Sequence, residues 1–75
     1  MSNKPVGPEI LIHVNGAPTT VPAGLTVRSL LVEMNLDPAR VAVELNREIV
    51  RKPAWDVTII DDGAALEIVT FVGGG

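Results

Sequence analysis

The residues best suited to chemistry in this chain are its last five, Phe71-Val72-Gly73-Gly74-Gly75. Three consecutive glycines have no Cβ and lose the most backbone freedom on ordering, so the sequence predicts a flexible tail there. Such a tail would present a free carboxylate on a peptide slim enough to enter a narrow enzyme channel. A frayed chain end has the same composition, and the rest of the chain must decide between the two. Other reactive groups are sparse. His13 is the single histidine and sits mid-strand at an outward parity, which suits a solvated side chain better than a general base. Asp61-Asp62 precedes Gly63 without a partner histidine or third acid, so the pair reads as turn chemistry. No glycine-rich loop joins a strand to a helix, and nothing cradles a phosphate. The chain has no cysteine, which excludes disulfides, thiolate metal sites and a cysteine nucleophile. No bound cofactor or metal is expected.

The elements that position these residues must fit in one small domain. The chain has 75 residues, 47% of them hydrophobic and 20% charged, which favours a folded globule over disorder. A domain of this size buries about 60–65% of its unfolded surface, so a helix has to cover a sheet to complete the core. The net charge of -3 argues against a nucleic-acid partner and favours a basic protein surface. Nothing resembles a signal peptide or is long enough to span a membrane, so the expected location is cytoplasmic, with no membrane partner.

Residues 1–8 read as a flexible lead-in, 9–72 as the folded domain and 73–75 as the flexible glycine tail. Ile10, Ile12 and Val14 alternate with Leu11, His13 and Asn15, the period of a half-buried strand. Asn15-Gly16 suits a tight hairpin turn, and Thr19-Thr20-Val21 forms the return strand with Pro18 at its start. Thr26 is placed to cap a helix, with Leu25 packing on Leu30. Val27, Leu30, Leu31 and Met34 make its apolar stripe, and Asn35 ends it. Asp37-Pro38 turns the chain into a third strand, Val41 to Leu45. Asn46-Arg47-Glu48 leads to a brief fourth strand at Ile49-Val50. Trp55 anchors the irregular segment that follows. Asp61-Asp62-Gly63 is a strong turn before the last strand, Leu66 to Phe71.

The order is β-β-α-β-β-β. Both the first and last strands are apolar and therefore central, and the intervening helix supplies the crossover that parallel pairing needs. This is an α+β chain with the β-grasp (ubiquitin-like) arrangement, a mixed sheet of four to five strands packed on one helix. If Leu66 and Ile68 face the helix, Val69 and Phe71 face solvent. Leu11 and Ala42 share that parity on flanking strands, so a contiguous exposed apolar patch of Leu11, Ala42, Val69 and Phe71 is expected beside Val72 and the tail. Clustered exposed apolar residues mark interfaces.

At these residues the chain resembles the ThiS family of sulfur carriers in thiamin biosynthesis. The resemblance rests on Ile12-His13-Val14-Asn15-Gly16, Val41-Ala42-Val43 leading to Asn46, and Ile49-Val50 followed by Trp55. Asp62-Gly63, Glu67-Ile68-Val69 and Val72-Gly73-Gly74-Gly75 complete it, over residues 9–75. Two departures are Ala64, where the family commonly has a second acid, and the extra residues 1–8. The resemblance implies chemistry done on this protein and not by it. The Gly75 carboxylate would be adenylated by an E1-like enzyme using ATP, then converted by a persulfide protein to a thiocarboxylate. That sulfur would go to thiazole synthase. Gly73 and Gly74 would serve as the slim tail, and Leu11, Ala42, Val69, Phe71 and Val72 as the partner interface. The free protein is expected to be monomeric. Competing readings are a molybdopterin-type sulfur carrier and a ubiquitin-like modifier of lysines.

Overall fold

A computed structural model describes residues 7–71. The expected lead-in over residues 1–6 and the segment 72–75, with Val72, Gly73, Gly74 and Gly75, lie outside the described residues.

Alternating apolar residues build strand β1, Glu9–Val14, with Ile12 and Val14 buried and Leu11 and His13 exposed. Asn15 and Gly16 take left-handed backbone, at φ 52° and 84°, as a two-residue type I′ hairpin turn requires. The return strand β2 runs Ala17–Pro22, so Pro18 lies inside it and not at its start. The sheet order β2-β1-β5-β3-β4 explains the tolerance, since β2 is an edge strand and a missing N–H can face outward.

Helix α1, Val27–Glu33, begins where Thr26 Oγ1 accepts the Ser29 N–H at 3.1 Å. It buries Val27, Leu30 and Leu31 on the sheet, with Leu25 and Met34 packed at its ends. Asn35 stops it at φ 58°. The Asn35 and Leu36 N–H groups donate to Val32 and Leu31 carbonyls at 3.0 and 2.9 Å, which satisfies two otherwise orphaned acceptors.

A tight helical turn, Pro38–Arg40, is capped by the Asp37 carboxylate and leads into β3, Val41–Leu45. A second left-handed pair, Asn46 and Arg47, turns the chain into β4, Glu48–Val50. After another tight turn, Lys52–Ala54, Trp55 enters the core at 1% exposure. Its Nε1–H donates to the Val50 carbonyl at 2.8 Å. The ring therefore anchors this segment as expected, and Arg28 and Lys52 lie 5.6 and 5.8 Å from its centroid.

The final strand β5, Ala65–Thr70, lies at the centre of the sheet, parallel to β1 and antiparallel to β3. Five strands in this order with one helix on one face are the β-grasp architecture. Among the described residues no helix is long and apolar enough to cross a membrane.

Candidate protein-docking face

The outer face of the sheet is set by β5. Leu66 and Ile68 are buried toward the helix, while Glu67, Val69 and Phe71 face out. Val69 pairs directly with Ala42 of β3, and both are exposed. The Phe71 N–H donates to the Arg40 carbonyl at 2.7 Å, which keeps Phe71 in line with Val69 although the residue is 55% exposed. Ala42, Val69 and Phe71 thus gather at the end of β5 that leads toward Val72.

Leu11 does not join them. It is exposed at the expected parity, but the parallel register pairs His13 with Ala65 and Val14 with Leu66. Leu11 therefore lies level with Gly63, whose N–H donates to its carbonyl at 2.7 Å. Six residues of strand separate that level from Val69, roughly 20 Å. Parity placed Leu11 on the right face, but only the register of a parallel pair tells which end of that face it occupies. The expected contiguous patch of four is corrected to exclude Leu11.

The structure supplies another member. Ile49 is 74% exposed and pairs with Glu44, on the same face as Ala42 and Val69. Ala42, Val43, Glu44, Ile49, Glu67 and Val69 line a shallow groove of about 110 Å³. The signal was present in the sequence, because a two-residue turn at Asn46-Arg47 forces Glu48 opposite Leu45 and hence Ile49 opposite Glu44. Glu44 and Glu67 are themselves cross-strand partners, two like charges side by side in the middle of the groove. That arrangement disfavours the sheet and suits a cation brought by another molecule.

Two asparagines steady β5. The Asn15 carboxamide accepts the Ile68 N–H at 2.7 Å and donates to the Ile68 carbonyl at 3.1 Å. Asn46 Oδ1 accepts the Ala65 N–H at 3.0 Å. Each hairpin turn thus reaches back to the central strand. The Asp61-Asp62 pair also does more than turn the chain, since Asp62 Oδ1 accepts the Leu11 N–H at 2.8 Å. His13 is exposed on the sheet, and among the described residues no group of three or more His, Cys, Asp or Glu is placed to hold a metal.

A mixed five-stranded sheet on one helix, with an apolar and acidic groove beside its central strand, defines a β-grasp protein of the ubiquitin-like kind. The family model described as the ThiS family matches residues 12–75. The chain belongs to the ThiS family of sulfur carriers. Relatives agree. The sulfur carrier protein ThiS of Bacillus subtilis is 40% identical over 50 residues, covering 67% of this chain and 76% of that protein. A thiazole synthase of Paramagnetospirillum magneticum is 45% identical over 62 residues, covering 83% of this chain. The chain spans about a fifth of the length of the thiazole synthases it matches, 19% and 20% in two cases. The crystal structure of the thiamine biosynthesis protein (ThiS) from Geobacter metallireducens superposes with a TM-score of 0.77 at 39% identity. It covers 88% of this chain and all of that one.

Proposed function

We propose that this chain carries sulfur as a thiocarboxylate on Gly75 for assembly of the thiamin thiazole, and that the chemistry is done on it by partner enzymes. The observation that carries this reading is that the family match extends to Gly75, so the terminal glycines belong to the shared pattern. A carboxylate is a poor acyl donor until one oxygen becomes part of a leaving group. An E1-like enzyme would supply that step: the Gly75 carboxylate attacks the α-phosphorus of ATP and pyrophosphate departs. The terminal sulfur of a persulfide protein then attacks the carbonyl carbon, and AMP leaves. A thiol cleaves the sulfur–sulfur bond, and the thiocarboxylate remains. ATP is consumed by the partner, and the chain itself binds no cofactor.

The acceptor is thiazole synthase on this reading. Support comes from the thiazole synthases that contain a stretch similar to this chain. Ala42, Ile49, Val69 and Phe71 form the docking surface, with Val72 continuing it and Gly73 and Gly74 threading the active site. Glu44 and Glu67 favour a basic surface on the partner. The free chain is monomeric and cytoplasmic.

The test is intact-mass analysis after incubation with the adenylating enzyme, ATP and a sulfur source. The expected product has one oxygen replaced by sulfur, without conjugation to lysines. A variant with one alanine appended after Gly75 displaces the carboxylate and adds a Cβ to a path that admits none. It should release no pyrophosphate and gain no sulfur. Sulfur transfer to that variant at the parental rate would refute the reading.

A further inference from the structure

On the carrier reading the reacting atom is the carbonyl carbon of Gly75, and the inference that follows rests on that reading. Four residues beyond Phe71 reach at most about 14 Å when extended. An enzyme that encloses the Gly75 carboxylate must therefore bring its own surface up to the end of β5.

What that end offers follows from its hydrogen bonding. Successive residues of a strand direct their N–H and C=O groups to opposite edges. The Ala65 carbonyl accepts from Asn46 N–H and Phe71 N–H donates to Arg40, so odd-numbered residues of β5 turn toward β3. The Leu66 carbonyl accepts from Asn15 N–H, and Ile68 bonds the Asn15 carboxamide, so even-numbered residues turn toward β1. Thr70 belongs to the second set. Strand β1 ends at Val14, level with Leu66. One step further, at Ile68, the Asn15 side chain stands in for the missing strand. At Thr70, one step beyond that, the register places neither strand nor side chain among the described residues.

We propose that the main-chain N–H and C=O of Thr70 are a docking edge for an extended segment of the adenylating enzyme, with the Asn15 carboxamide as the stop that sets where the added segment begins. Sheet edges are templates for a further strand, and main-chain pairing of this kind is an established mode of peptide recognition. The edge lies beside Val69 and Phe71, so a strand added there continues the sheet next to the exposed apolar groove. It demands a backbone from the enzyme and leaves the choice of side chains to the groove.

The geometry makes a selective perturbation available. Thr70→Pro removes the outward N–H without touching a bond to β3, and proline is tolerated where an edge N–H faces solvent. Thr70→Val keeps the N–H and loses only the hydroxyl. With the adenylating enzyme of the source organism and ATP, Thr70→Pro should raise the KM for the carrier by roughly fivefold, the worth of one main-chain hydrogen bond, while Thr70→Val stays at the parental value. In the parent, the Thr70 amide should exchange at least tenfold more slowly in the saturated enzyme complex than in the free protein. The Phe71 amide, already bonded to Arg40, serves as the internal reference. The proposal is overturned if Thr70→Pro is adenylated at the parental KM, or if Thr70 exchange is unchanged in a saturated complex. It is also overturned if Thr70 becomes protected in the protein alone as concentration rises, for then the edge pairs with a second copy. If the parent itself is not adenylated, the carrier reading fails first and the docking edge falls with it.

Discussion

Asn15 offers the sharpest test of how β5 is held. Asn15→Gly removes the carboxamide while keeping a residue that adopts φ 52° without strain. Glycine's added freedom in the unfolded chain and asparagine's cost in the left-handed region are each about 1 kcal/mol, and they roughly offset. What remains is the loss of the hydrogen bonds to the Ile68 N–H at 2.7 Å and carbonyl at 3.1 Å. At about 0.5–1.5 kcal/mol net for each, the loss is about 1–3 kcal/mol. A domain of this size is stable by roughly 4–11 kcal/mol, and each kcal/mol moves the midpoint by about 4–8 °C. Thermal and urea unfolding should therefore show a clear fall. Asn46→Gly is the matched control, because among the described residues its carboxamide makes a single exposed bond, to the Ala65 N–H. It should cost only about 0.5–1.5 kcal/mol. If Asn15→Gly costs no more than Asn46→Gly, the second Ile68 bond adds nothing, and if it leaves the midpoint unmoved the clamp on β5 is refuted.

Three further outcomes can be measured directly. Leu30 is fully buried, so Leu30→Ala should cost about 2–5 kcal/mol, and an unmoved midpoint would mean the helix is not packed as described. Phe71 is 55% exposed, so Phe71→Asp should leave the midpoint within a few degrees yet weaken binding to the adenylating enzyme; unfolding of the variant, or parental binding, would remove Phe71 from the docking face. Glu67→Lys turns a like-charged cross-strand pair into an opposite one, so stability should rise by roughly 0.2–1 kcal/mol while the KM for adenylation rises; a midpoint that does not rise would show that Glu44 and Glu67 do not repel.

Much of this architecture could be read from the chain because its signals are local. Alternation in β1, β3 and β5, the Asn15-Gly16 turn, the Thr26 cap and the Val27–Leu31 stripe each depend on neighbours a few residues apart. So does the parity that put Ala42, Val69 and Phe71 outside. The position of Leu11 along the sheet was not legible, because parallel strands joined through a helix have no turn to set their register. The Asn15–Ile68 bonds span 53 positions, and nothing near either residue announces them. Ile49 was within reach but missed, since a strand of three residues shows too little alternation to assign a face.

Arg47 and the Glu44–Glu67 pair both go against local preference, and comparing them shows which points to function. Arg47 holds a left-handed φ of 72°, a conformation that costs a non-glycine residue about 1–2 kcal/mol. The fold offers a return for it: the tight turn sets the β3–β4 register, and that register closes the sheet beside Trp55, whose Nε1–H reaches the Val50 carbonyl at the end of β4. The Glu44–Glu67 pair has no such return. Neither carboxylate makes a salt bridge or a side-chain hydrogen bond among the described residues, and the pair interrupts an otherwise apolar groove. A repulsion that nothing among the described residues offsets is what a surface kept for binding looks like, since sequences depart from local consistency chiefly at functional sites. On the docking reading proposed above, the acidic pair therefore carries more weight than Arg47, and a basic group on the partner is its natural complement.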